Sequence, residues 1–244
     1  MNARTVLLGL VILAGSALKA DKPDPPKPAV KPVSKVKATE DFEVTGDGRA
    51  EAWKKAEWEL LHRREAKGLD YQTRFKVLYS KKGLYVLMNG TDRKLTATMK
   101  NDFDNLWMED VFEVFLWPDE RDPLYFEYEL SPLGRELPIL VPNLDGKFLG
   151  WRPWLYDGDR KVRKAVSAAG GKGSGAAVQG WTAEFFIPYD LLRPLRNVPP
   201  KSGTRWRANF YRMDYDGGNK TSWDWARVGS DFHEFQKFGT LVFE

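Results

Sequence analysis

Short runs in which apolar and polar residues alternate, divided by turn residues, recur through most of this 244-residue chain. No other feature narrows the fold as far, because strand side chains point to opposite faces with a period of two. Arg74–Tyr79 and Leu84–Met88 flank SKKG, a hairpin pattern. Further runs follow at Val111–Trp117, Tyr125–Leu130, Ile139–Val141, Lys161–Ser167, Trp181–Ile187, Arg205–Met213 and Gly239–Phe243. Helical periodicity is nearly absent: Ala50–Leu61 and Pro188–Leu192 each hold at most a turn. This pattern predicts an all-β fold, an antiparallel β-sandwich of two packed sheets with a jelly-roll-like course. The stretch AAGGKGSGAA (168–177) reads as a flexible loop tip, since it lacks the GxxxxGK[ST] spacing of a phosphate loop.

The two ends are of a different composition. MNARTVLLGLVILAGSALKA (1–20) has a basic start, an apolar run from Val6 to Ala14 and small residues after it, the pattern of a secretory signal peptide. The run is too short to span a bilayer, so the chain is expected to be exported, to a periplasmic or extracellular location. LAGS (13–16) is similar to a bacterial lipobox with Ser16 where the acylated cysteine belongs, so no lipid anchor is expected. Residues 21–40 hold five prolines and five lysines and read as a semi-extended linker, which leaves 41–244 as the domain. Of 38 basic and 34 acidic residues, 1–20 holds two basic ones and 21–40 five basic and three acidic, leaving 31 of each in 41–244. A neutral domain gives no sign of the basic face that nucleic-acid binding needs. The chain has no cysteine, which excludes disulfides and thiolate zinc sites.

One run departs from simple alternation. In NLWMEDVFEVFLW (105–117), Phe112, Val114 and Leu116 share an apolar face that should meet a core. Val111, Glu113, Phe115 and Trp117 share the other, which is apolar except for one carboxylate. A lone charge is costly to bury, so this second face is expected to be open or concave. A carboxylate among aromatics suits a ligand with both hydroxyls and apolar patches; the alternative is that Glu113 pairs with an arginine of the next strand. Tryptophan is abundant, with ten in the chain. Trp53, Trp181 and Trp206 read as packing residues. Trp107, Trp151, Trp154, Trp223 and Trp225 sit in loop-like, polar company, where an indole either offers a flat apolar surface to a sugar ring or caps an end of the sandwich.

These motifs, taken in order, resemble the family 9 carbohydrate-binding modules and their bacterial family-9-like relatives, from about Glu43 to Phe243. DGRAEAW (47–53), the Phe75–Asp92 hairpin, Trp107 followed by Asp110-x-x-Glu113-x-Phe115, YFEYELSPLGR, GWTAEFFIPYDLL, GTRWRANFYRMD and FGTLVF match the family's sequence of elements. The resemblance implies a β-sandwich that binds a sugar or polysaccharide end between two aromatic side chains, in support of extracellular carbohydrate catabolism. Trp107 and Glu113 fall on the family's first aromatic and first carboxylate, and Arg135 near its binding arginine. Trp223 or Trp225 is the implied second indole; Asp145 and Asp214 are further acidic candidates. The family also binds structural calcium, for which Asp41, Asp47 and Glu51 are candidate ligands, though no EF-hand-like loop is present. A glycoside hydrolase association is implied, with the partner enzyme open.

Three other functions compete with sugar binding. Hydrolysis needs two carboxylates at a set separation; Glu127 and Glu129 share a strand face, but Glu-Tyr-Glu is also an ordinary solvated edge. Haem ligation needs His or Met in a pocket; His62 and His233 read as exposed, and Met88 and Met213 as core. Aromatic loops also serve protein interaction.

Overall fold

The computed structural model describes residues 30–154 and 156–244, so the expected signal peptide and the first part of the linker lie outside the described residues. The strands are β1 (Val33–Ala38), β2 (Glu59–Arg63), β3 (Thr73–Tyr79), β4 (Gly83–Thr91), β5 (Val111–Trp117), β6 (Leu124–Leu130) and β7 (Glu136–Leu144). They continue as β8 (Lys147–Phe148), β9 (Arg152–Pro153), β10 (Arg163–Gly170), β11 (Val178–Pro188), β12 (Arg205–Asp214), β13 (Thr221–Asp224) and β14 (Gly239–Phe243). Single 3-10 turns are the only helical pieces among the described residues, so the all-β class stands. Ala50–Leu61 divides into one such turn, Glu51–Lys55, and the start of β2.

The hydrogen bonding is continuous rather than split into two sheets. It runs through β10, β11, β4, β3, β1, β14, β12, β5, β6, β7 and β8. β13 joins β12 to β2, and β2 returns to β3, so the path closes on itself as a barrel with extra strands on both sides. Pairing is mostly antiparallel, but β1 runs parallel to β14 through Val33–Val36 and to β3 through Lys37 and Ala38.

β1 corrects the expected boundary at residue 40. In VSKVKA, Val36 is fully buried, while Lys35 and Lys37 reach out to Glu244. Two inward positions suffice to seat the strand, and the surrounding prolines hid them.

Two arms of the sheet face each other across the main core. Phe75 stacks on Phe210 at 3.7 Å, Phe112 on Trp181 at 3.8 Å, and Tyr128 lies 5.0 Å from Phe185. Phe112, Val114 and Leu116 all enter this core, as alternation predicts. Each such side chain contributes about 1.5–3 kcal/mol by leaving water. Behind β4 and β11, Phe42, Trp53, Tyr85 and Phe186 form a smaller core. Buried Glu184 fastens the segment above it, accepting bonds from Gly46 N (2.7 Å), Thr45 N (3.1 Å) and Trp53 Nε1 (2.8 Å).

Candidate functional site

The second face of β5 opens onto a cleft. Strand pairing sets Glu113 opposite Glu129 and Phe115 opposite Glu127 on β6, with Tyr211 of β12 beside Glu113 on the other side. Alternation carries Tyr125, Glu127 and Glu129 to the same face as Glu113 and Phe115. The connection from β13 to β14 covers the apolar end, where Val228, Phe235 and Phe238 pack with Phe115, Trp117 and Tyr125. Beyond this lid of side chains lies a cleft of about 490 Å³, bordered by Trp107, Glu113, Glu127, Glu129, Trp151, Tyr215 and His233.

Three glutamates form its floor. Glu113, Glu127 and Glu129 are 1, 3 and 1 % exposed. Glu113 Oε1, Glu127 Oε2 and Glu129 Oε2 are buried and accept no hydrogen bond from any described residue. Burial pushes the Glu113 carboxyl up to about 8, with nearby Lys220 and Arg64 pulling the other way. Burial and the Glu113 charge hold Glu127 and Glu129 well above the usual carboxylate range. The expected alternative, an ion pair from Glu113 to an arginine, is not formed among the described residues.

Aromatic rings make the walls. Leu106 anchors the turn Leu106–Met108 that presents Trp107, and the Tyr215 hydroxyl donates to the Trp107 carbonyl at 2.8 Å. The Trp107 and Trp151 rings meet edge to face at 5.5 Å and 73°, a right-angled corner of two indoles. His233 is clasped between Phe148 (4.1 Å) and Phe115 (5.4 Å), with the Tyr125 hydroxyl 2.6 Å from its Nδ1. Burial lowers the imidazole pKa and raises that of Tyr125. The phenol therefore donates to Nδ1 of a neutral ring, which leaves the ring hydrogen on Nε2.

Of the residues expected at the site, the structure brings together Trp107 and Glu113 only. Arg135 and Asp145 are exposed turn residues away from the cleft lining. Trp223 and Trp225 are 1 and 5 % exposed and belong to the main core. Trp223 stacks parallel to Tyr71 and over Arg212. Trp225 lies against Gly239, where an added Cβ would come within 2.3 Å of the indole. Their polar neighbours misled: in TSWDWAR, alternation sends the indoles inward whatever lies between them. His233, expected to be exposed, lines the cleft, while Met213 is 5 % exposed and buried at its edge. Trp151, one of the five indoles read in polar company, and Glu127 and Glu129, read as a hydrolytic pair or a solvated edge, line the cleft, as do Tyr215 and Phe148, which were not foreseen. The period-two pattern of YFEYEL, set against that of VFEVFLW, carries the signal for the two glutamates.

The calcium candidates are not gathered. Asp41 pairs with Lys82 (2.9 Å), Asp47 accepts from Thr45 Oγ1 (2.8 Å) and Arg49 N (3.1 Å), and Glu51 pairs with Lys54 (2.7 Å). Among the described residues one acidic group does converge, with ligand atoms of Asp92, Asp110 and Asp214 within 4.8 Å of one another. All six of its carboxylate oxygens already accept bonds. Arg212 serves Asp92 and Asp214; backbone N–H groups of Lys94, Thr96, Tyr215 and Asp216 serve the other four oxygens. With the Arg212 guanidinium inside the group, this set does not fit a calcium ion, which takes six to eight oxygen ligands.

Residues 44–132 match the family described as carbohydrate family 9 binding domain-like, a span that includes Trp107, Asp110, Glu113 and Glu129. Over that span the chain is similar to the family. Its fold is that of a candidate carbohydrate-binding protein from Bacteroides uniformis, at TM-score 0.71 and 17% identity, over 88% of this chain and 100% of that one. It is also similar to a family 9 carbohydrate-binding module from Caldicellulosiruptor kristjanssonii in complex with cellotriose (TM-score 0.61, 14% identity, 87% of this chain and 93% of that one). The same is true of that module in complex with glucose (0.61, 14%, 86% and 96%). At these identities the likeness is one of fold. No curated protein sequence matches the chain. Among the described residues, no helix is long and apolar enough to cross a membrane.

Proposed function

We propose that this family-9-like domain binds sugars without transforming them, in the cleft between Trp107, Trp151 and the three glutamates. The observation that carries the reading is the pairing of an open indole corner with buried carboxylate oxygens that accept no hydrogen bond. Pyranose rings have an apolar face edged by hydroxyls: the face matches an indole, and hydroxyl donors match the free oxygens of the floor. Trp107 stacks on the ring, Trp151 takes the role first given to Trp223 or Trp225, and Glu113 accepts from hydroxyls. The His233 Nε2 hydrogen is an added donor. The cellotriose and glucose held by the family 9 neighbours make β-linked glucose chains the first ligands to try. Facing sheet arms, sandwich-like in their packing, hold the cleft floor rigid. Export by segment 1–20, and service to extracellular carbohydrate catabolism beside a partner hydrolase, complete the proposal.

Calorimetric titration with glucose, cello-oligosaccharides and xylo-oligosaccharides tests it. Binding of at least one series with unchanged ligand after prolonged incubation is the expected result. Release of shortened oligosaccharides would replace binding by hydrolysis, and the absence of any heat with any sugar would remove the reading.

A further inference from the structure

The Glu127–Glu129 end of the cleft is more acidic than a neutral sugar requires. Both side chains are more than nine-tenths buried, and each keeps one buried oxygen that accepts no hydrogen bond. Among the described residues neither forms an ion pair with lysine or arginine. The basic group nearest Glu127 is His233, whose Nδ1 is 3.8 Å away and is already engaged by Tyr125. Five acids border the cleft (Glu65, Glu113, Glu127, Glu129 and Asp231) against two bases, Arg64 and Lys220. Arg64 is occupied elsewhere, donating to the Gly229 carbonyl, lying 3.5 Å from Asp224 and stacking over Phe232 at 4.5 Å. Lys220 is exposed. The carboxyls left without a cation are therefore Glu127 and Glu129, which burial holds protonated and hydrogen-bonded to each other, and which would give up a proton to a cation entering between them.

A small cation with several donors answers both needs. An ammonium group has three N–H donors and no acceptor, and it is drawn to the faces of indoles such as those at the cleft border. Resting on the sugar-binding reading above, we propose that the cleft selects amino sugars. A protonated primary amine on the bound saccharide lies between Glu127 and Glu129 and donates to the oxygens left free. A neutral hydroxyl can give one hydrogen there, and charge-assisted bonds are roughly twice as strong as neutral ones. An N-acetyl group has one N–H and no charge, so acetylation removes the advantage.

The test is a calorimetric titration of the protein at about pH 7 with three β-1,4-linked disaccharides. These are cellobiose, the corresponding disaccharide of glucosamine, and its N,N′-diacetyl form. The amine disaccharide is expected to bind about tenfold or more tightly than the other two, with protons released to the buffer on binding. Glu127→Gln and Glu129→Gln, which preserve shape, should each lower amine affinity about tenfold more than cellobiose affinity. Equal affinities of the wild-type protein for the amine and for cellobiose overturn the selectivity and leave the sugar-binding reading in place. Preference retained by both glutamine variants overturns the assignment to these residues. No binding of any of the three overturns both this inference and the reading it rests on. The wild-type comparison stands even if a variant fails to fold.

Discussion

Two groups of three buried carboxylates use neighbouring strands and are built in opposite ways. Asp92 and Asp214 bind Arg212 with Asp110 beside them, and each of the six carboxylate oxygens accepts a bond. The pocket for the guanidinium is tight: a Cβ on Gly90 would lie 2.5 Å from Arg212 Nη1. Glu113, Glu127 and Glu129 enclose no cation among the described residues; Glu127 and Glu129 hydrogen-bond each other, and each of the three keeps a buried oxygen without a donor. Burial alone therefore does not distinguish a structural acid from a binding one. Satisfaction does: an acid whose partners are all internal holds the fold, and one whose partners are missing is held ready for a ligand.

The largest effect should come from breaking the satisfied group. Arg212→Leu leaves two buried carboxylates, Asp92 and Asp214, without their cation and should cost about 3–5 kcal/mol of stability, read by urea unfolding. A loss below about 1 kcal/mol would mean that the two groups do not differ as described. Next comes the indole corner. Trp107→Ala should lower sugar affinity roughly thirtyfold, the effect of losing about 2 kcal/mol at a hot spot. Its urea midpoint should change little, because Trp107 is only half-buried.

A smaller effect concerns pH. Glu113 titrates near 8 in the folded protein and near 4.5 when unfolded. Between these values the folded protein holds protons that the unfolded chain has released, so stability falls as pH rises through that window. Glu127 and Glu129 act in the same direction, as do Asp92 and Asp110, raised to about 7 and about 8 by burial and by the Asp214 charge. Melting temperature should drop from about pH 5 to about pH 8. The triple variant Glu113→Gln, Glu127→Gln, Glu129→Gln should flatten part of that slope, and an unaltered slope would count against the protonated floor. The smallest effect is expected from a chelator. With Arg212 inside the aspartate group, removing divalent cations should leave the melting temperature unchanged; a marked fall would mean that calcium takes the group after all.

Alternation made the framework legible. β5 and β14 fall on the residues read from the sequence, and β3, β4, β6, β11 and β12 differ from the reading by a few residues at their ends. It also placed Glu113 and Trp107 at an open face. What escaped were the two-residue β8 and β9, β2, whose start was read as part of a helical turn, β1, masked by the prolines around it, and β13, whose four residues carry one indole and one buried aspartate. That short strand hid the burial of Trp223, and with it the choice between Trp223 and Trp225. Trp151 was visible as an indole in polar company, but nothing local ties it to Trp107, 44 positions earlier. Its place is set by β7 and β9, which pair across Ile139–Pro153 and Leu140–Arg152. Long-range pairing of this sort leaves no mark in a single run of residues.

The central claim is that the floor glutamates are binding groups without structural duty, and Glu113→Gln tests it most directly. Calorimetric titration with cello-oligosaccharides and a thermal melt should be run on the same preparation at about pH 9, above the value of about 8 to which burial pushes the Glu113 carboxyl. The account predicts that affinity falls about tenfold or more, the loss of a charged acceptor bond worth about 1.5–3 kcal/mol. It also predicts that the melting temperature stays level or rises, since the variant removes a carboxyl that burial disfavours in its charged form. Unchanged affinity together with a lowered melting temperature would contradict it and return Glu113 to the scaffold.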